Sequence, residues 1–162
     1  MSTLYVDKIT EKTSGNGVQI PGHVVQVVNA AYSTGVTLSA TGGAIETGLA
    51  ATITPKFSTS KILILANQNI QVNGSSYAQI VLRKGTIASN TILATMSTPE
   101  GYTNSADTSI NTIPVCYEDS PATTSAIRYF CSMELLSGGP MYAQTSTSGT
   151  SVSTITLMEI AQ

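Results

Sequence analysis

The chain has 162 residues, enough for one domain that buries roughly 70% of the surface its unfolded form exposes. Ser and Thr supply 44 residues, whereas Asp, Glu, Lys and Arg together supply 16, for a net charge of −2. The cations are scattered as Lys8/Lys12, Lys56/Lys61 and Arg83/Lys84, so no basic surface is expected to displace counterions and no nucleic-acid partner is expected.

The first 22 residues stand apart. Asp7, Lys8, Glu11 and Lys12 hold a quarter of all the charges, and the apolar residues Leu4, Val6, Ile9, Val18 and Ile20 come in short pieces around the turn cluster Thr13 to Gly17. Such a segment has too little apolar area to fold alone and gains order from a neighbour. Residues 1–22 are therefore expected to form an extended docking arm, with those five apolar residues as its contacts, and residues 23–162 a β-sandwich domain. The opening MSTLYVDKITEK has no basic region followed by an apolar stretch, so no cleaved export signal is expected. The longest apolar run, Ile62 to Ala66, falls far short of the roughly 20 residues that span a bilayer, and no membrane insertion is expected.

From His23 onward, β-branched and hydroxylated residues alternate as extended ribbons do. His23 to Ala31 is apolar on both faces. Gly48 to Phe57 places Leu49, Ala51, Ile53, Pro55 and Phe57 on one face. Lys61 to Val72 carries Ile62, Ile64, Ala66, Ile70 and Val72 on one face, while its other face changes from Leu63 and Leu65 to Asn67, Asn69 and Gln71. That change is expected where a strand runs from a covered region into a wet one. Further strands are expected over Tyr77 to Arg83, Thr91 to Met96, Ile113 to Glu118, Ile127 to Leu136, Met141 to Thr145 and Val152 to Ala161. Turn signals separate them at Asn73-Gly74, Lys84-Gly85, Pro99-Glu100-Gly101, Asp119-Ser120-Pro121, Gly138-Gly139-Pro140 and Ser148-Gly149. Short strands at this spacing, with no window of helical periodicity, predict an all-β, antiparallel β-sandwich or jelly roll.

The two cysteines admit a disulfide, a metal pair or two inert thiols. With one histidine in the chain they cannot complete a familiar zinc site. If their strands pair with apolar faces together, Cys116 and Cys131 project from opposite faces, which favours free thiols.

Candidate catalytic chemistry is thin. A nucleophile–histidine arrangement must use His23, which sits beside a tight turn, and Glu118-Asp119 at a strand end beside Pro121 reads as a solvated turn rather than an acid–base pair. No phosphate loop or calcium loop is present, and no enzyme activity, cofactor or metal is expected. One loop, Ser97 to Asn111, places Tyr102 beside Asn104 and Asp107. Stacking plus hydrogen bonding there would suit a sugar, as on a host surface glycan; the alternative is that Tyr102 packs the loop down.

Three pieces carry a resemblance. STLYVDKITEKTSGNGVQIPGHVVQVV at the start, ITPKFSTSKILIL at Ile53 to Leu65 and STITLMEI at Ser153 to Ile160 resemble segments of bacteriophage virion fibre and spike proteins. The resemblance covers about a third of the chain. It implies a β-sandwich displayed on the virion as a homotrimer, in contact with other virion proteins and without enzyme activity. A short stand-alone fibre, a capsid spike, a decoration protein and a glycan-binding fibre tip all fit it. Strands apolar on both faces, such as Val24-Val25 and Val27-Val28, point independently to association between copies.

Overall fold

A computed structural model describes residues 8–11, 15, 17–73, 76–96, 108–144 and 151–162. Ten strands run through it: β1 (Val24–Tyr32), β2 (Val36–Leu38), β3 (Ala44–Ile53), β4 (Lys61–Asn73), β5 (Tyr77–Thr86), β6 (Ser89–Thr95), β7 (Thr108–Asp119), β8 (Ile127–Ser137), β9 (Met141–Ala143) and β10 (Ser153–Ile160). There is no helix among the described residues.

Two sheets face one another, and every pairing is antiparallel. β4 organises the first. Along one side it pairs with β10 through Lys61 to Asn67 and with β9 through Ile70 to Val72; along the other it pairs with β7 over its whole length. β1 lies outside β10 and β2 outside β9, so β1/β2 and β9/β10 are each one interrupted line of chain. The first sheet is thus four lines wide, in the order β1/β2, β9/β10, β4, β7. The second runs β3, β8, β5, β6. Eight lines interleaved across two sheets in this order are a jelly roll. Long hairpins wrap around each other, so β1 finds its partner more than a hundred residues away in β10.

Period-two alternation explains the core. The even residues of β4 (Ile62, Ile64, Ile70, Val72) and the odd residues of β10 (Ile155, Leu157) point inward against Ile80 and Leu82 of β5 and Met133 and Leu135 of β8, all of them excluded from water. Tyr129 also lies inside; its hydroxyl donates to Asp119 at 2.7 Å, and the same carboxylate oxygen accepts from Lys84 Nζ at 2.8 Å.

Several boundaries differ from the sequence expectation. β3 starts at Ala44 and ends at Ile53, before Pro55. β7 begins at Thr108, inside the stretch read as a loop, and β2 carried no signal in the sequence. Lys84-Gly85 is not a turn: both residues lie in β5, and the chain reverses at Ile87-Ala88. Gly85 has φ +105, and a Cβ there would stand 2.5 Å from the Ser89 carbonyl oxygen, so its glycine serves the close approach of β5 to β6. Asp119 is buried by Tyr129 and Lys84 rather than solvated. Both thiols are free, with Cys131 inside and Cys116 outside. Their strands do not pair: β7 and β8 belong to different sheets.

Candidate assembly surface

The sandwich has two unlike ends. At the lower end, where β4 begins, Gly22 N donates to Ala161 O at 2.8 Å and Ala161 N donates to His23 O at 2.9 Å, so the segment entering β1 is stitched to the end of β10. Gln19 Nε2 reaches the Gln162 carbonyl at 2.8 Å and Thr59 Oγ1 at 3.3 Å. At the upper end, Thr108, the first residue of β7, lies opposite Asn73, the last of β4. The β6–β7 connection therefore enters the first sheet at the end opposite the amino-terminal segment.

Glu159 ties the lower end together. It occupies an inward position of β10 and has no exposure to water. Its Oε1 accepts from Lys56 N at 2.8 Å and Phe57 N at 3.2 Å, and its Oε2 accepts from Gln26 Nε2 at 2.6 Å. A buried carboxylate is tolerable when its lone pairs are filled in this way. The result joins β1, β10 and the β3–β4 turn, three places far apart in the sequence. They form one contiguous unit.

The outer face of the first sheet is divided. Near the lower end its register sets Val27 beside Met158 and Met158 beside Leu63, sets Val24 beside Ile160, and sets Leu65 beside Cys116. Val24 and Val27 stand proud at 51% and 56% exposure; Met158, Ile160, Leu63 and Leu65 are half-buried. Toward the upper end the same face turns polar through Asn67, Asn69, Gln71 and Thr112. The switch predicted along β4 is therefore real, although on the neighbouring β7 the upper half of the face also carries Ile110, 70% exposed beside Gln71. Between β10, β4 and β7 lies a hollow of about 530 Å3, lined in part by Leu65, Asn67, Pro114, Cys116, Thr154 and Thr156.

Charges on this face are matched. Lys61 Nζ and Glu118 Oε1 are 2.6 Å apart at the edge of the apolar half. On the opposite sheet Arg83 pairs with Glu134, and Arg128 pairs with Glu46 at 2.6 Å while lying over the Phe130 ring at 4.7 Å. With Lys84–Asp119, four of the six cations among the described residues are held in ion pairs.

Of the expected docking residues, Ile9 is 57% exposed, and Val18 and Ile20 are half-buried on the segment leading to β1. Leu4 and Val6 lie outside the described residues, as do the expected receptor contacts Tyr102, Asn104 and Asp107. Glu118 and Asp119 point to opposite faces of β7, the first outward to Lys61 and the second inward to Tyr129, so they cannot flank one substrate bond. His23 lies exposed just before β1. Among the described residues no three His, Cys, Asp or Glu side chains gather to hold a metal.

Sequence reasoning missed the polar cluster inside the sandwich. Thr47, Gln68, Ser153 and Gln144 are buried together: Thr47 Oγ1 donates to Gln68 Oε1 at 2.7 Å, and Gln68 Nε2 donates to Ser153 Oγ at 3.1 Å. The available signal was Gln68, a polar residue interrupting the inward series of β4.

No protein-family model matches this chain, and no curated protein sequence does. Among solved structures it is similar to the infectious bursal disease virus VP2 subviral particle, with TM-score 0.47 and 11% identity over 85% of this chain and 38% of that one. It is also similar to the T=1 particles derived from the same virus (TM-score 0.44, 12% identity, 85% of this chain and 36% of that one). A third is the Gx strain of that virus (TM-score 0.42, 14% identity, 85% of this chain and 37% of that one). The chain thus spans less than two fifths of the length of these structures.

Proposed function

We propose that this chain is a structural virion protein of a bacteriophage: a short fibre, spike or decoration subunit, displayed as a trimer and fixed by its amino-terminal residues. One observation carries the reading. The three pieces that resemble phage fibre and spike proteins come together at one end of one sheet, joined through Glu159, and that end is where the amino-terminal segment enters. Jelly rolls also serve as lectin domains and enzymes, so the fold by itself does not choose among these. The four ion pairs that tie up most of the described charges, and the opposed directions of Glu118 and Asp119, favour a building block over a hydrolase.

The test is incorporation. The full chain should be found by mass spectrometry in purified particles, and a chain lacking residues 1–16 should fold but be missing from them. Unchanged incorporation of the shortened chain would refute anchoring by residues 1–16 and leave Val18 and Ile20 to carry it, and absence of the full chain from particles would refute the virion reading. A second reading, a tip that grips host glycans through Tyr102, Asn104 and Asp107, is favoured by the entry of the β6–β7 connection at the end away from the amino-terminal segment. Binding on a glycan array that is lost in Tyr102→Ala would support it, and silence on the array would leave the purely structural role.

A further inference from the structure

We infer that the outer face of the β1–β10–β4–β7 sheet is the surface on which copies of this chain meet, the occupant of each face being a second copy. The inference rests on the structural-virion reading only in naming where the proposed trimer is held together.

Size is the first ground. A face four lines wide at about 4.8 Å spacing and as long as the 13-residue β4, at roughly 3.4 Å per residue, offers on the order of 800 Å2. In a ring each copy shares this face between two neighbours, so each contact receives on the order of 400 Å2 from it, at the small end of specific interfaces. Composition bears on it too: Val24, Val27, Met158, Ile160, Leu63 and Leu65 form an apolar patch at the lower end, and Ile110 stands 70% exposed among the amide and hydroxyl groups toward the upper end.

Charge selects the kind of partner. The cation and the anion at the apolar edge, Lys61 and Glu118, are already paired with each other. A face with no charge left to satisfy gives nothing to a strongly basic or acidic partner and suits a surface like itself. Shape fits as well. Val24 and Val27 project at the β1 side, and the hollow lined by Leu65, Pro114 and Cys116 lies two lines away. The ridge of one copy can enter the hollow of the next, and because ridge and hollow are different places, a head-to-tail ring can close.

The chain carries its own probe. Cys116 lies exposed on this face and Cys131 is sealed in the core, so thiol labelling of the folded protein reads this face alone. Sedimentation of the purified full chain should show an oligomer, with Cys116 labelled slowly at high concentration and faster on dilution. The double variant Val24→Lys/Val27→Lys should lose association and expose Cys116. Ile92→Lys, a substitution of comparable exposure (57%) on the other sheet, should retain both properties. Circular dichroism confirms that each variant is folded.

An oligomer that survives the double substitution, or one in which Cys116 labels at the same rate at every concentration, overturns the inference. A monomer with shielded Cys116 assigns the face to the chain's own amino-terminal residues. A monomer with open Cys116 that becomes shielded in particles assigns it to another virion protein; if it stays open there too, the face has no partner. All three overturn the inference. The monomer by itself is enough to overturn the inference, whether or not the chain is found in particles, so the virion reading stands or falls separately.

Discussion

Glu159 and Ser60 bracket what a buried oxygen costs in this fold. Both lie near the lower end, but Glu159 accepts from three donors whereas Ser60 Oγ has no partner. Glu159→Ala leaves two backbone N–H groups unsatisfied and takes one of the two acceptors of Gln26 Nε2, the other being the Thr54 carbonyl at 2.7 Å, and should lower stability by about 3 kcal/mol in urea unfolding. Ser60→Ala removes an unsatisfied hydroxyl and should be neutral or stabilising by about 0.5 kcal/mol in the same assay. The two thiols give a second contrast. Burial pushes the Cys131 thiol up to about 12, so at pH 8 the folded protein should react with one equivalent of a thiol reagent, at Cys116, and with a second only after unfolding. The sign for stability follows. Cys131 is neutral in the fold but ionises in the unfolded chain above its ordinary value of 9.0, and Tyr129 is raised by burial and by its bond to Asp119. Both contributions are complete below pH 9 and are lost as the pH rises beyond it, so the urea midpoint should fall between pH 9 and 11. Neither Glu159 nor Gln68 was legible as an anchor in the sequence. A lone acid or amide at an inward position announces burial only once its partners are placed: for Glu159 they come from β1 and the β3–β4 turn, for Gln68 from Thr47 of β3 and Ser153 of β10.

At the scale of strands, the bulge in β3 decides how the two sheets meet at one edge. The β3–β8 register breaks between Glu46 and Ala50, Gly48 adopts φ +88, and the ring of Tyr32 from β1 fills the space where a side chain would sit, 2.1 Å from an ideal Cβ. Gly48→Ala must therefore both strain the backbone and evict an aromatic ring, and should cost about 2–4 kcal/mol in chemical denaturation. Tyr32→Ala/Gly48→Ala should recover part of the loss, because the clash goes with the ring. Nine of the ten strands were readable, most of them because one side of the ribbon is buried and a two-residue period follows from that; β1 and β6, which bury neither side fully, were legible from their β-branched composition and the turns around them. β2 was not: three residues pair only with β9 and leave too little repeat to detect. Lys84-Gly85 misled because a glycine with positive φ serves a close strand approach as readily as a turn, and only the partner strand distinguishes them.

Across the whole molecule, order in sequence and order in space are inverted. The last strand, β10, sits between β1 and β4 in the middle of its sheet. Both of its lateral partners, the inward pair Ile155 and Leu157, and Glu159 all depend on the final ten residues being present. The amino terminus is different: residues before Gly17 add no strand among those described, and the stitch that matters, Gly22 to Ala161, lies after them. Two truncations of similar size should therefore behave in opposite ways. Removing residues 1–16 should leave a cooperative thermal transition within a few degrees of the full chain, a shift equivalent to less than about 1 kcal/mol. Removing residues 153–162 takes away a central strand and strands β1 without a partner, and should abolish the transition altogether. Far-ultraviolet circular dichroism through a thermal ramp separates the two outcomes. A carboxy-terminal truncation that still melts cooperatively would show that the sandwich closes without its middle strand, which the pairing of β1 with β10 forbids.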